Sequence, residues 1–157
     1  MAFKPHPNGG GLVEDTAYVA ETAYVGKYAI VRDKARVLDN ARIDDYAKVY
    51  GDALIHDTAQ VSDNARVYGD AAVYGESCIS DSAEVYGHAV VCDDSKVFGR
   101  AKVYGGEVYD NAQIYGKAEI YGHAVVDGYA KIYGAAKVFG YARVCDDEIS
   151  DAEHSDS

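Results

Sequence analysis

The chain has 157 residues, enough for one domain with a core of its own. Apolar residues make up 48% of it, with 15 Tyr, 16 Gly, 2 Pro and no Trp, a composition that argues against disorder and is unlike that of helical globular proteins. Its 26 acidic and 15 basic residues give a net charge of −11, which argues against direct binding to nucleic acid or to an anionic membrane.

The first segment, residues 1–10, reads MAFKPHPNGG and contains no apolar stretch typical of a secretory signal. No run of 18 apolar residues predicts a membrane helix. Three cysteines without motif spacing, Cys78, Cys92 and Cys145, indicate free thiols in a reducing compartment, so we expect a cytoplasmic protein. Residues 1–10 are expected to cap the open edge of the repeat that follows.

A strict six-residue repeat occupies residues 11–149. Every sixth residue from Val13 to Val103 is Val or Ile, and after one step of five the same spacing continues from Val108 to Val144. Such regular spacing of β-branched residues predicts short strands at a fixed interval, because these side chains favour strand backbone.

The residues around each Val or Ile predict the corners. The residue two before it is Ala in 19 of 23 cases, and the residue two after it is Gly or Asp in 21 of 23, Glu21 and Lys27 being the exceptions. A small residue permits a tight bend, and Gly or Asp tolerates the backbone that a sharp bend needs. Each hexad is therefore predicted to form one strand and one corner of a parallel β-coil, with Val and Ile stacked along its axis.

Two nearly identical nonapeptides mark the irregular step. AEVYGHAVV spans residues 83–91 and AEIYGHAVV spans residues 118–126, so they are 35 residues apart, whereas two turns of three hexads need 36. Segment 103–108, VYGGEV, has one corner residue fewer. Both nonapeptides are therefore predicted to lie on one face, two turns apart, with a shortened corner between them.

The repeated Val, with Ala four residues later, resembles the hexapeptide-repeat left-handed β-helix family over residues 11–149. Strings such as ARVYGDAAVYG are similar to those of bacterial and phage hexapeptide-repeat proteins of unassigned role. The resemblance implies an all-β, single-domain left-handed parallel β-helix with three strands per 18-residue coil and about seven to eight coils. At about 4.8 Å per coil, the rod would be roughly 36 Å long. Residues 150–157 are expected to form an acidic, flexible tail.

Side chains that flank the core positions point outward and stack on their equivalents one coil away. One such column is aromatic: Tyr50, Tyr68, Tyr86, Tyr104, Tyr121 and Phe139. A stabilising ladder and a flat stripe that binds a sugar or a protein partner are both open interpretations of this column. The neighbouring column mixes charges of both signs and is interpreted as a solvated face: Lys48, Arg66, Glu84, Lys102, Glu119 and Lys137.

A different face is the least polar. Its outward residues include Leu38, Leu54, Ala72, Tyr74, Val90, Tyr109 and Val125. Flat apolar patches of this kind mark interfaces, so we predict a homo-oligomer, dimer or trimer, that packs through this face. The alternative is a surface that merely tolerates apolar residues.

His88 and His123 are the candidate catalytic residues. They share a corner column two coils apart, beside the shortened corner at Gly105 and Gly106. Hexapeptide-repeat acyltransferases use a His as the general base on an acyl-CoA, and the resemblance implies this part for His88 or His123. A plain polar corner is the alternative. Two coils separate the rings by about 9–10 Å, too far to share one zinc ion, so we predict neither a metal site nor a cofactor.

Aspartates form columns along two corners: Asp39, Asp57, Asp93 and Asp110 on one, Asp45, Asp63 and Asp81 on another. Asp suits a corner in its own right. Negative edges could alternatively imitate a nucleic-acid backbone and inhibit a protein with a basic groove.

No inserted loop interrupts the repeat, in contrast to the acyltransferases that the chain resembles. The leading hypothesis is therefore a non-enzymatic rod that presents flat faces for self-association or for a protein partner.

Overall fold

The computed structural model describes residues 1–156, and in it the six-residue repeat becomes a series of strands two to nine residues long. In chain order these are β1 (Phe3–Pro5), β2 (Leu12–Glu14), β3 (Tyr18–Val19), β4 (Tyr24–Val25), β5 (Ile30–Val31), β6 (Arg36–Val37), β7 (Arg42–Ile43), β8 (Lys48–Val49), β9 (Leu54–Ile55), β10 (Gln60–Val61), β11 (Arg66–Val67), β12 (Ala72–Val73), β13 (Cys78–Ile79), β14 (Glu84–Tyr86), β15 (Val90–Val91), β16 (Lys96–Val97), β17 (Lys102–Val108), β18 (Gln113–Ile114), β19 (Glu119–Asp127), β20 (Lys131–Tyr133), β21 (Lys137–Gly140), β22 (Arg143–Cys145), β23 (Glu148–Ser150) and β24 (Glu153–Asp156).

The strands stack into three flat faces. Face 1 consists of β2, β5, β8, β11, β14, β21, β24 and the first halves of β17 and β19; face 2 consists of β3, β6, β9, β12, β15, β22 and the second halves of β17 and β19. Face 3 is an 8-stranded sheet of β4, β7, β10, β13, β16, β18, β20 and β23. Its strands are parallel and come one from each turn, so the coil has eight turns, which confirms the predicted all-β parallel β-helix.

Register within a face follows the repeat. Lys48 pairs with Arg66 and Arg66 with Glu84, a spacing of 18 residues. Across the shortened corner the spacing falls to 17, as in the pairing of Val90 with Glu107. The strand register shifts between Gly105 and Glu107, in the segment where the sequence has one residue fewer. No helix that could cross a membrane occurs within residues 1–156.

The core is a column of Val and Ile with Ala at the corners, as predicted. Every Val or Ile of the repeat from Val25 to Val138 has 0% of its surface exposed, and each Ala two residues before one of them is equally buried. Val13 and Val19, in the first turn, are only half-buried. Burying this many β-branched side chains removes a large apolar area from water, which is the main stabilising contribution to the fold.

Two serines replace Ala at corner positions without leaving an unpaired hydroxyl. The Ser77 hydroxyl donates to the Tyr74 carbonyl oxygen at 2.8 Å, and the Ser95 hydroxyl donates to the Cys92 carbonyl oxygen at 2.6 Å. Both serines are fully buried. Since a buried hydroxyl is costly only when it lacks a partner, the substitution is compatible with the core.

The corners have left-handed backbone. All ten non-glycine residues with positive φ among residues 1–156 are Asp, with φ between 50° and 60°. They occupy the same corner position as most of the positive-φ glycines, two residues after a core Val or Ile. Glu21 and Lys27 lie in the first turns, where this position does not have positive φ. Backbone conformation therefore explains why Gly or Asp occurs two residues after the core Val or Ile, and why Glu21 and Lys27 are exceptions.

The corner aspartates also link successive turns. The Asp63 carboxylate accepts the Asp81 backbone N–H at 3.1 Å, and the Asp81 carboxylate accepts the Gly99 N–H at 2.9 Å. The same bond is made by every Asp of the two predicted corner columns: Asp39, Asp45, Asp57, Asp63, Asp81, Asp93 and Asp110. A charged acceptor thus satisfies a corner N–H that the strand ladders do not reach.

The N-terminal segment lies against the first turn. β1 pairs antiparallel with β2, and the Val25 N–H donates to the Asn8 carbonyl oxygen at 3.0 Å. At the other end, β24 pairs in parallel with β21. Its residues belong to the predicted tail, of which Ser157 lies outside the described residues.

Substitutions of Asp63 separate two properties of the corner aspartates: tolerance of positive φ and the hydrogen bond to the next turn. Asp63→Asn keeps a side-chain acceptor and tolerance of positive φ, Asp63→Gly keeps only the backbone freedom, and Asp63→Ala keeps neither. We expect the loss of unfolding free energy to rise in that order, reaching about 1–3 kcal/mol for Ala, measured by urea denaturation. Equal losses for Gly and Ala would show that positive φ at this corner carries no cost.

Candidate functional sites on the outer surface

The shortened corner leaves a notch in the edge between faces 1 and 2. It is a cavity of about 490 Å³, and the residues that line it are Gly87, His88, Val90, Tyr104, Gly105, Gly106, Glu107, Gly122 and His123. The sequence predicted the notch and its two histidines, and the structure places both imidazoles at its rim. Both side chains are exposed.

The two histidines have different partners. His88 Nδ1 lies 3.7 Å from a carboxylate oxygen of Asp70, one turn below. The His123 ring stacks on Tyr141, one turn above, with ring centroids 5.1 Å apart. One imidazole is thus placed near a carboxylate and the other beside an aromatic ring.

The notch is made by backbone. Gly105 and Gly106 have φ of +85° and +76°, and a Cβ on Gly106 would lie 2.6 Å from the Ala124 carbonyl oxygen. Gly87, one turn below, also has positive φ, but a Cβ there would meet nothing closer than 3.7 Å. Because the corner is one residue shorter, there is free space on the side of Gly87 that faces the next turn, whereas Gly106 is in close contact with the turn above it.

This contrast predicts the outcome of two alanine substitutions. Both Gly87→Ala and Gly106→Ala force an L-residue into positive φ, at about 1–2 kcal/mol each. Gly106→Ala adds a clash with backbone that cannot move away, so we expect it to lose at least about 1 kcal/mol more unfolding free energy in urea denaturation. Equal losses would contradict the geometry of the notch.

The aromatic column of face 1 is a continuous ladder. Adjacent rings from Tyr50 to Phe139 are stacked, with centroids 4.8–5.3 Å apart and interplanar angles of 2–15°. The Arg32 guanidinium covers the free side of Tyr50 at 4.7 Å from the ring centroid. Since ring faces contact each other, the ladder presents mainly ring edges and hydroxyls, which supports the stabilising interpretation.

Ionisation of the ladder is suppressed. Burial raises the pKa of Tyr50, Tyr86 and Tyr104, and burial together with the hydrogen bond from the Tyr68 hydroxyl to Glu84, at 2.8 Å, raises the pKa of Tyr68. These four tyrosines are therefore uncharged at neutral pH. A second ladder of the same kind occurs on face 3, formed by Phe98, Tyr115 and Tyr133. The proposed binding role of the face 1 column stays a prediction.

Face 2 carries the predicted oligomer residues in two outward columns. Leu54, Ala72, Val90 and Val125 lie in one of them, and Leu38, Tyr74 and Tyr109 lie in the other. All seven are half-buried rather than fully exposed, because each packs against its neighbours one turn above and below. The face is consequently smooth, with the outer halves of these side chains available to a partner.

The cysteines are free and poorly suited to act as nucleophiles. Burial raises the pKa of Cys78 and Cys92, and hydrogen bonding to Asp127 raises the pKa of Cys145. Hydrogen bonding to Cys92, together with burial, raises the pKa of Tyr74 to about 12. Because the thiolate is the reactive form, these thiols are held in their unreactive state at neutral pH.

An ion pair on face 2 between the exposed Arg143 and the buried carboxylate of Asp127 was not predicted. Asp127 is 2% exposed, and its Oδ2 accepts hydrogen bonds from the guanidinium of Arg143, with Nε at 3.1 Å. Burial alone would raise the pKa of Asp127, but the hydrogen bonds and the charge of Arg143 hold it below its usual value. The two residues lie on adjacent turns but in different outward columns, because Arg143 is in register with Val125 and Asp127 with Cys145. Stacking of equivalent positions therefore did not predict the pair.

Removing the Arg143 charge should therefore change how stability depends on pH. The lowered pKa of Asp127 contributes stability above its unfolded value near 3.8, and that contribution is lost as pH falls through this range. We expect Arg143→Gln to be less stable than the natural protein at pH 7, with the difference shrinking toward pH 3, in urea denaturation. Lys131→Gln, which breaks the exposed pair with Glu148, is the control. A difference that is the same at both pH values would contradict this assignment.

One group of side chains has the composition of a cation site. Single ligand atoms from Asp39, His56 and Asp57 all lie within 4.8 Å of one another. Both carboxylates already accept a backbone N–H, and the His56 ring stacks on Tyr74 at 4.8 Å between centroids. These contacts account for the three residues as parts of the corner and of the outward column.

The comparisons agree with the repeat architecture. Residues 59–75 match a family model described as YdcK Beta solenoid repeat. A search of curated proteins and a search of solved structures each return no significant match to the chain. The eight-turn coil and the matched repeat together define the chain as a β-solenoid repeat protein, which confirms the resemblance to hexapeptide-repeat β-helices.

Proposed function

We propose that the protein is a non-enzymatic structural rod that self-associates through face 2. The observation that carries this proposal is the smooth apolar surface formed by Leu54, Ala72 and Val90 on three consecutive turns. The corresponding column of face 1 has charged residues at the same height: Lys48, Arg66 and Glu84. An uninterrupted apolar column on a flat face favours burial against a second flat surface.

The repeat itself supports a structural role. Strand ladders and aspartate caps join each turn to the next, so the outer columns are held at a fixed spacing along the rod. Such a surface changes little on association, which reduces the entropy lost when two copies dock.

The test is the oligomeric state of Leu54→Lys. A charge in the middle of the apolar column should abolish association, because an ammonium group would be buried without a partner. The matched control is Ile30→Lys, which introduces the same charge at the same position of the repeat on face 1. We expect the natural protein and Ile30→Lys to sediment as oligomers and Leu54→Lys as a monomer. A monomeric natural protein at high concentration would overturn the proposal.

A second candidate function, acyl transfer, is favoured by the notch alone. There, an imidazole of His88 or His123 would take the proton of a hydroxyl or amine as it attacks the thioester carbonyl of an acyl-CoA. The acyl group would pass to the oxygen or nitrogen, and CoA would leave as its thiol after taking up a proton. The position of Asp70 beside His88 supports His88 as the base.

Thermal shift with acetyl-CoA tests this second candidate. Acyl transfer at the notch requires a rise in melting temperature with acetyl-CoA that His88→Ala or His123→Ala removes, whereas His56→Ala, away from the notch, retains it. The absence of any CoA-dependent shift in the natural protein would count against acyl transfer and leave the structural proposal unaffected.

A further inference from the structure

One outward column of face 2 is self-complementary about Ala72. Along β6, β9, β12, β15 and β17 the register aligns Arg36, Leu54, Ala72, Val90 and Glu107, one on each turn. Leu54 and Val90 lie one turn to either side of Ala72. Two turns to either side lie Arg36 and Glu107, which have opposite charges. The next positions outward are Tyr18 and Val125, both uncharged.

We propose that face 2 binds a second copy of this chain in an antiparallel dimer whose two-fold axis passes at Ala72. A rotation about an axis parallel to the strands reverses the order of the turns and keeps each residue in its own column. Leu54 then meets Val90 of the second copy, and Arg36 meets Glu107 of the second copy. An isologous interface needs this kind of pattern, in which each contact occurs twice. The inference rests on the self-association proposed above.

The charges at these two positions have no partner within one chain. Arg36 and Glu107 are both exposed, and within residues 1–156 neither makes an ion pair. In the dimer, Arg36 of each copy faces Glu107 of the other copy, so two such ion pairs form. An interface with an apolar centre and complementary charges toward its ends has the usual arrangement of a specific association.

The notch provides room for the arginine. Glu107 and Val90 line it, so the guanidinium of Arg36 from the second copy would reach Glu107 across an opening rather than across a filled corner. The corner lost between Tyr104 and Val108 therefore has a role in this dimer: it admits a long side chain at the edge of an otherwise smooth face.

The second outward column agrees with the same axis. Tyr74 is in the turn of Ala72, with Leu38 two turns below it and Tyr109 two turns above. The rotation places Leu38 against Tyr109 of the second copy, so an apolar side chain meets an aromatic one. No like charges oppose each other in this column, since its charged member, Asp127, is buried against Arg143.

The available area is sufficient. With the axis at Ala72, seven of the eight turns overlap, about 34 Å of the rod at about 4.8 Å per turn, and a face is about 18 Å wide. These dimensions give about 600 Å² per copy and about 1,200 Å² in total, the lower limit for a stable interface. The dimer is therefore expected to be reversible at low concentration.

Charge reversal tests the register. Arg36→Glu and Glu107→Arg each replace two attractive pairs with two repulsive ones, so we expect each to weaken the dimer about tenfold or more in sedimentation equilibrium. The double variant Arg36→Glu/Glu107→Arg restores opposite charges and should dimerise with an affinity close to that of the natural protein. Arg66→Glu, at the same repeat position on face 1, is the control and should leave the dimer unchanged.

The outcomes separate this inference from the proposal on which it rests. A natural protein that is monomeric overturns both. A natural oligomer that Leu54→Lys dissociates, but that neither charge reversal weakens, overturns the register and leaves face 2 as the interface. A trimer, or a double variant as weak as the single ones, likewise overturns the antiparallel arrangement at Ala72.

Discussion

The fold depends on keeping each turn in register with the next. A turn of three hexads returns the chain to the same place one rung higher, so each residue lies on its equivalent 18 residues away, or 17 across the shortened corner. This requires a sharp bend every six residues, which an L-residue makes with difficulty. Glycine avoids the steric cost, and aspartate offsets it with a hydrogen bond to the N–H of the following corner.

That constraint restricts the residue types at the inward and corner positions of the coil and leaves the outward positions free to vary. Inward positions must be Val or Ile with Ala before them, because there is room for little else along the axis. An outward side chain need only be compatible with the side chains at the equivalent positions one turn above and below it. Aromatic rings meet that condition by stacking on each other, and apolar side chains meet it by covering part of each other's surface. In the charged column of face 1, opposite signs lie on neighbouring turns, as with Arg66 and Glu84. The three faces differ in surface chemistry for this reason.

Most of the architecture was predictable, because the repeat consists of residue types with strong backbone preferences. The spacing of Val and Ile predicted the coil, and the missing residue in 103–108 predicted the notch. Other features could not be predicted, because they depend on which side chains contact each other between turns. The carboxylates of Asp63 and Asp81 looked like simple turn formers, and the pairing of Asp127 with Arg143 required the register to be known.

Measuring the shape of the protein in solution by small-angle X-ray scattering tests the central claim, that flat rods pair side by side through face 2. The account predicts a particle with twice the mass of one chain, about 40 Å long along the rod axis, and about twice as broad as a single rod in one direction. A particle with the mass of one chain, or a dimer about twice as long and no broader, would contradict it.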